Sequence, residues 1–237
     1  MENEPIKLQT EPRPKAWLGI IWLVLYFILD IIGEILATIP PIIEGLDAGK
    51  SFDSIIGGLQ ITWYMNLTQA FALVILLFLM KVSHMKLFSF RAFSRKTWLN
   101  FIVISLGTLI ISNLLEILIT YLDPNFNTAN QAGIEDMVSS ASPLVVFVAV
   151  VILAPITEEV VFRGLIMKII FWKYPKIGFA VSTLLFTLAH LPTDIPSFLV
   201  YFVMAFGLCL VYYKTKRIEA SILLHFINNL IGYFFIV

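Results

Sequence analysis

Residues 143–170 read PLVVFVAVVILAPITEEVVFRGLIMKII, and this stretch decides the fold class. It is longer than the roughly 20 mostly apolar residues that a helix needs to cross a hydrocarbon core. Pro155, Glu158, Glu159 and Arg163 interrupt the apolar run. Charged groups inside a membrane span cost free energy unless they face protein and find partners. The stretch therefore predicts a membrane helix that contributes polar groups to the interior of a helix bundle.

The composition of the whole chain places this stretch in a membrane protein. Of 237 residues, 59% are hydrophobic and only 14% are charged, whereas a soluble domain is about half apolar and about a quarter charged. Lysine plus arginine equals aspartate plus glutamate at 16 each, so there is no basic excess for binding nucleic-acid phosphates. The single cysteine, Cys209, excludes an internal disulfide framework and a cysteine-rich metal site. This composition sets aside a soluble enzyme, a disordered protein and a nucleic-acid binder.

The other apolar runs predict an all-α bundle of about seven transmembrane helices. The predicted spans are 16–39, 59–80, 99–121, 143–170, 176–192, 195–213 and 218–237. The polar segment 123–142, rich in Asn, Ser and Ala, is expected to be a linker or mobile loop. It divides the chain into an N-terminal region of three spans with their loops, 1–142, and a C-terminal bundle of four spans, 143–237.

Basic residues concentrate in the cytoplasmic loops of membrane proteins, and here they indicate the orientation of the chain. They cluster before the first span, after the second, at the end of the fourth and after the sixth: Lys7, Arg13, Lys15, Lys81, Lys86, Arg91, Arg95, Lys96, Arg163, Lys168, Lys173, Lys176, Lys214, Lys216 and Arg217. The alternate loops carry acidic residues instead: Glu44, Asp47, Asp53, Asp123, Glu135 and Asp136. This pattern predicts a cytoplasmic N-terminus and an extracytoplasmic C-terminus for a seven-span protein. The location in a bacterial plasma membrane is predicted mainly from the short, Lys- and Ile-rich style of the chain.

The first three spans carry ionisable groups of their own, Asp30, Glu34 and Glu116. Asp30 and Glu34 are four residues apart and share one helix face. Glu34 and Glu116 lie near the outer ends of their spans, where carboxylates reach the lipid headgroups. The sequence favours a structural role for all three over a part in chemistry.

In the fourth span, the two adjacent glutamates are predicted to have different environments. Glu159 and Arg163 are four residues apart with the acid first, which is the favourable order for an ion pair on a helix. Glu158 is rotated by about 100° from its neighbour around the helix axis. The arginine therefore neutralises one carboxylate and leaves the other to face a different partner.

Partners for Glu158 are predicted in two later spans. His190 closes the fifth span, and His225 and Asn229 share one face of the seventh. With a rise of 1.5 Å per residue, the four groups lie about 10–20 Å above the cytoplasmic ends of their spans. We therefore predict that they meet in one layer inside the membrane.

These residue types fit two kinds of chemistry. A carboxylate among apolar residues can act as general base on a water molecule, and a nearby histidine can pass the proton to a leaving amine. A histidine and an asparagine on one helix face can donate hydrogen bonds to a developing oxyanion, which completes the parts for amide hydrolysis. Alternatively, Glu158, His190 and His225 can bind zinc with one open position. The residue types leave both mechanisms open.

Three motifs give these residues a resemblance to a known family. They are EExxxR at Glu158–Arg163, FxxxH at Phe186–His190 and HxxxN at His225–Asn229. In this order, and each in an apolar span, they resemble the motifs of the CAAX protease and bacteriocin-processing family, also called the CPBP or Abi family. The resemblance covers about 143–237, whereas the first three spans match only in being hydrophobic.

The resemblance implies an intramembrane endopeptidase with defined roles for these residues. Glu158 would activate the water with help from His190, and His225 and Asn229 would hold the oxyanion. Further implied site residues are Glu159, counted with the catalytic group, and the supporting residues Arg163 and Phe186. The substrate would be a membrane-embedded or lipid-modified peptide or protein, such as a prenylated CAAX tail or a bacteriocin leader.

The resemblance leaves the metal dependence open. Members of this family have been described both as metalloproteases and as glutamate-dependent enzymes that use no metal. The residues favour a mechanism without a cofactor, because Asn229 is a better hydrogen-bond donor than a metal ligand. Zinc is the alternative.

Two functions outside peptide hydrolysis also fit an intramembrane polar cluster. An immunity protein would use the same fold to bind a toxin without cleaving it. A small transporter would relay protons through its carboxylates, although no inverted repeat of spans is visible.

Overall fold

The computed structural model describes residues 15–89 and 91–236, which form nine helices and no strand. The first five helices are α1 (Ala16–Asp47), α2 (Phe52–Gly57), α3 (Trp63–Val82), α4 (Arg95–Leu122) and α5 (Ala129–Ser140). The remaining four are α6 (Pro143–Ile170), α7 (Pro175–Ala189), α8 (Ile195–Thr215) and α9 (Ile218–Ile236). Two residues used to predict the orientation, Lys7 and Arg13, lie outside the described residues.

Six of these helices are long and apolar enough to cross a membrane: α1, α3, α4, α6, α8 and α9. The fifth predicted span, α7, has only 15 residues. It is therefore about 22 Å long at 1.5 Å per residue, compared with a hydrocarbon core of roughly 30 Å. The predicted all-α, multi-pass membrane protein of about seven spans is confirmed, with six full-length helices and one short one. The side on which the N-terminus lies stays a prediction.

The N-terminal region differs from the sequence prediction in two places. Helix α1 continues through Pro40 and Pro41 to Asp47, although the first span was predicted to end at residue 39. The expectation of a loop over 123–142 is wrong for Ala129–Ser140, which forms α5. The side chain of Thr128 caps this helix, because its hydroxyl accepts a hydrogen bond from the backbone N–H of Gln131 at 3.1 Å.

Helix α6 is the central helix of the bundle and packs against α1, α3, α7 and α9. Its backbone is α-helical at Ala154–Glu159 and π-helical on both sides, at Val148–Leu153 and Val160–Ile170. The π-helical segments are rare and are found mostly where a functional side chain needs a particular position. The two glutamates of the fourth span therefore lie on a short α-helical turn between two wider segments.

Helices α4 and α8 pack closely where a glycine faces a threonine. A Cβ atom added at Gly207 of α8 would overlap the side chain of Thr108 on α4. Thr108 is buried, and its hydroxyl donates to the carbonyl oxygen of Ile104 at 2.8 Å, which fixes its rotamer. Small residues allow this kind of close approach between membrane helices.

We expect Gly207→Ala to lower the free energy of unfolding by about 1–3 kcal/mol, the usual cost of overpacking a close contact. The matched control is Gly107→Ala on α4, where an added Cβ meets no atom within 4 Å. Thermal unfolding of the two purified proteins in detergent checks this, and equal midpoints would contradict the packing described for α4 and α8.

Candidate active site

The ion pair predicted from the EExxxR motif is present and fully buried. Arg163 Nη1 lies 2.9 Å from Glu159 Oε1, and neither side chain is exposed. Arg163 Nη2 also donates to the carbonyl oxygen of Ala205 on α8 at 3.0 Å. Its guanidinium carbon lies 4.7 Å from the ring centroid of Phe186 on α7. One arginine of α6 is thereby fixed to both neighbouring helices.

The Glu159 carboxylate receives further hydrogen bonds from α9. The Ser221 hydroxyl donates to Oε2, and His225 Nδ1 lies 3.1 Å from Oε1. An ionised carboxylate only accepts hydrogen bonds, so His225 Nδ1 carries the proton in this contact. Sequence reasoning missed Ser221, although it lies four residues before His225 and hence on the same face of α9.

Glu158 faces the opposite direction, toward two imidazole rings. Its Oε2 atom lies 4.0 Å from His190 Nε2 and 3.9 Å from His225 Nε2. These separations are too long for direct hydrogen bonds. Oε2 is buried, and no hydrogen-bond partner for it lies among the described residues. The side chain of Glu158 as a whole is 28% exposed, in contrast to the fully buried Glu159.

The backbone and two aromatic rings hold His190 in place. His190 Nδ1 lies 2.9 Å from the carbonyl oxygen of Phe186, so Nδ1 carries a proton and Nε2 faces Glu158. The imidazole stacks on the ring of Phe186 on one side and on the ring of Tyr201 on the other, at centroid distances of 4.6 and 4.7 Å. The FxxxH spacing thus places the carbonyl oxygen and the ring of Phe186 against His190. Tyr201 belongs to no motif in the sequence, and sequence reasoning missed it.

Asn229 lies one helical turn beyond His225 on α9. Its Nδ2 atom donates to the carbonyl oxygen of Val150, in the π-helical part of α6, at 2.9 Å. The amide nitrogen has two hydrogens, so this bond fixes the side chain and leaves a second donor. Asn229 lines the same cavity as Glu158.

The four polar groups that were predicted to meet, those of Glu158, His190, His225 and Asn229, border one cavity of about 1130 Å³. Phe186 also lines this cavity, whereas the buried pair of Glu159 and Arg163 does not. The predicted meeting of these groups in one layer is therefore present in the geometry. Their catalytic roles stay predictions.

The cavity wall also includes the three acidic residues of the first three spans, Asp30, Glu34 and Glu116. Tyr26 contacts one of them, since its hydroxyl donates to Asp30 Oδ1 at 3.2 Å. The sequence did not indicate that these three carboxylates share a cavity with the C-terminal motifs.

The donor set of Glu158, His190 and His225 has the right atom types for zinc but a wide spacing. Two ligands in a tetrahedral zinc shell lie about 3.4 Å apart, whereas Oε2 is 4.0 and 3.9 Å from the two Nε2 atoms. Within 15–89 and 91–236, no group of three or more His, Cys, Asp or Glu residues is arranged to hold a metal ion. The observed geometry therefore does not fit a zinc shell.

A family model described as type II CAAX prenyl endopeptidase Rce1-like matches residues 140–231. The match includes all three motifs and confirms the resemblance to the CAAX protease and bacteriocin-processing family for this part of the chain. The chain is a multi-pass membrane protein whose C-terminal bundle is similar to membrane endopeptidases.

Curated relatives match segments of this chain that are similar in length to the segment that the family model matches. UPF0177 protein YvdC of Lactococcus lactis subsp. lactis (strain IL1403) is 31% identical over 105 residues, 44% of this chain and 40% of that protein. UPF0177 protein YaiH of the same strain is 38% identical over 87 residues, 37% of this chain and 36% of that protein. The protein named "Putative membrane peptidase YdiL" of Bacillus subtilis (strain 168) is 32% identical over 104 residues, 42% of this chain and 40% of that protein.

These three relatives are bacterial, in agreement with the predicted location in a bacterial membrane. The chain matches about 40% of the length of the curated relatives. A search of the solved structures finds no match.

We expect Arg163→Met to destabilise the protein by about 3–5 kcal/mol, because it leaves the buried Glu159 carboxylate without its cation. Arg95→Gln is the control, since Arg95 is exposed at the start of α4 and should change stability by less than about 0.5 kcal/mol. Thermal unfolding in detergent measures both variants. Similar midpoints for the two would mean that the buried pair does not hold the bundle together.

Proposed function

We propose that this protein is an intramembrane endopeptidase in which Glu158 activates a water molecule for attack on a peptide bond. One observation carries the proposal: the Oε2 atom of Glu158 is buried, has no hydrogen-bond partner in the part of the chain that the structure describes, and faces the Nε2 atoms of two histidines inside a cavity. With both histidine rings neutral and Glu158 ionised, all three atoms are hydrogen-bond acceptors, because each Nδ1 atom already carries its ring's proton and a carboxylate only accepts. Three acceptors around one point favour a donor with two hydrogens, and a water molecule has this property.

The proposed reaction begins with transfer of a proton from the water to Glu158. The water oxygen bonds to the carbonyl carbon, and the carbonyl oxygen becomes an oxyanion. The free hydrogen of the Asn229 amide donates to that oxyanion, and His225 can donate through Nε2 when its ring is doubly protonated. Preorganised donors are effective because they need no rearrangement as the charge develops.

Collapse of this intermediate breaks the C–N bond and requires a proton on the leaving amine. Glu158 returns the proton directly or through His190 Nε2, which lies 4.0 Å from Oε2. The products are a free amine and a carboxylic acid, which ionises. Glu159 takes no proton in this scheme, since it is bonded to Arg163, Ser221 and His225. It positions His225 through the Nδ1 contact.

The comparisons support the same reaction class. The matched family model is described as type II CAAX prenyl endopeptidase Rce1-like, and the relative from Bacillus subtilis is named "Putative membrane peptidase YdiL". We extend this activity to the present chain for a membrane-embedded or lipid-modified peptide, either a CAAX-type tail or a leader peptide of bacteriocin type. Self-immunity would then follow from cleavage of the peptide rather than from binding it.

We expect Glu158→Gln to reduce cleavage by at least about 10²-fold, because the amide cannot accept the proton from water. Mass spectrometry of peptide termini in membranes of cells with equal levels of wild type or variant measures this without a known substrate. Glu44→Gln, an exposed carboxylate near the end of α1, is the matched control and should give the wild-type set of termini. Identical termini in wild type and Glu158→Gln would overturn the peptidase and favour a binding protein.

Activity should survive removal of divalent metals, since no step of the proposed reaction runs through a metal. The test is cleavage of the identified substrate after dialysis of the purified enzyme against a zinc chelator. Loss of activity that added zinc restores would contradict this mechanism and favour the zinc-dependent alternative.

A further inference from the structure

The cavity that contains the proposed site has a strongly one-sided charge. Five carboxylates belong to its lining, those of Asp30, Glu34, Glu116, Asp136 and Glu158. Within the described part of the chain, no lysine or arginine lines it, and the four outer carboxylates pair with none. Acidic groups therefore outnumber basic ones in the described lining of the cavity, where the two histidines of the proposed site are the basic groups.

The position of the lining residues shows which way the cavity opens. They come from the C-terminal parts of α1, α4 and α9, the N-terminal parts of α3 and α6, and the segment around α5. These ends lie opposite the basic clusters at Lys81–Lys96 and Lys214–Arg217. By the distribution of basic residues, the cavity opens toward the extracytoplasmic side.

A second, independent feature indicates a hydrogen-bond donor as the occupant. Asn66 is only 4% exposed, and its Nδ2 atom donates to the carbonyl oxygen of Val145 at 3.0 Å. Its Oδ1 atom is buried with no partner among the described residues, on a side chain that lines the cavity. A buried amide oxygen without a donor costs about 1–3 kcal/mol. An occupant with N–H groups would recover this free energy.

We infer that the cavity binds a peptide segment bearing lysine or arginine, which enters from the extracytoplasmic side and places its cationic side chain near Asp30 and Glu34. This inference deepens the proposed function and rests on it for the cleavage step. The two carboxylates are one helical turn apart on α1 and line the same cavity as Glu158, and the Tyr26 hydroxyl donates to Asp30. A cationic residue held there lies on the outer side of the proposed scissile bond.

The chemistry of the wall favours a cationic peptide over other occupants. An anionic segment would be repelled by five carboxylates in surroundings of low dielectric constant, where charge interactions are strong. A volume of about 1130 Å³ also exceeds the range of about 300–1,000 Å³ usual for small-molecule pockets. The cationic group loses water on entry, and the carboxylates compensate for that loss.

The test uses purified Glu158→Gln protein, which binds without cleaving, in nanodiscs of zwitterionic lipid. The probes are two fluorescent amphipathic peptides, identical except that glutamines in one replace lysines in the other. Fluorescence anisotropy gives both dissociation constants, with empty nanodiscs as the blank. We expect the lysine peptide to bind about tenfold more tightly at low salt and to lose most of this preference at high salt.

Matched variants in the same background assign the preference to the cavity wall. Asp30→Asn with Glu34→Gln should bring the two dissociation constants within about twofold of each other, and Glu34→Gln alone should bring them part of the way. Glu44→Gln lies on the same helix but outside the cavity lining, so it should keep the full preference. Binding of the glutamine peptide by the variants verifies that the cavity is intact.

Equal affinity for the two peptides, or a preference that survives the double variant, would overturn the inference. Its failure is distinguishable from failure of the proposed function, because binding is measured in a protein that lacks the general base. Wild type that binds the lysine peptide selectively, but produces no new termini in cells, would refute the peptidase and leave the charge preference standing.

Discussion

A glutamate and an arginine with no solvent exposure, Glu159 and Arg163, lie at the centre of the bundle, and the rest of the site depends on them. A buried charge is tolerated only when it is paired and its hydrogen bonds are satisfied. The arginine is paired with Glu159, donates to Ala205 of α8 and lies over the ring of Phe186 on α7, while its Nε atom has no partner among the described residues. The glutamate also accepts hydrogen bonds from Ser221 and His225 of α9. The pair thus fixes the positions of α6, α7, α8 and α9 relative to one another.

This arrangement of the helices gives the neighbouring carboxylates of Glu158 and Glu159 different exposure and different hydrogen-bond partners. Both oxygens of Glu159 accept hydrogen bonds from α6 or α9, and its side chain is fully buried, so it orients His225 and is out of reach of a substrate. Glu158 is one residue earlier and about 100° around the helix, where it borders the cavity and its Oε2 atom has no donor among the described residues. The same residue type serves as a positioning group at one position and as the proposed base at the next.

Two irregular features of the backbone position these side chains. Helix α7 has only 15 residues, and His190 directly follows its last residue, where the imidazole faces Glu158. The turn of α6 that carries the glutamates lies between two π-helical segments, one of which supplies the Val150 carbonyl to Asn229. The outer ends of α1, α3 and α4, with α5, complete the wall and add the carboxylates that give the cavity its charge.

The sequence by itself determined the all-α membrane class and the Glu159–Arg163 pair, because apolar run lengths and a spacing of four residues are properties of a single helix. It also predicted the group formed by Glu158, His190, His225 and Asn229, from the depth of each residue along its helix and from the resemblance of the three motifs to a known family. Tertiary structure alone decided the partners from other helices: Ser221 on Glu159, Tyr201 on His190, and Asp30, Glu34 and Glu116 on the cavity wall. Such contacts depend on how helices rotate and cross, which no local spacing records. The same limit explains the unpredicted helix α5, whose polar composition resembles a loop until Thr128 caps it and its neighbours support it.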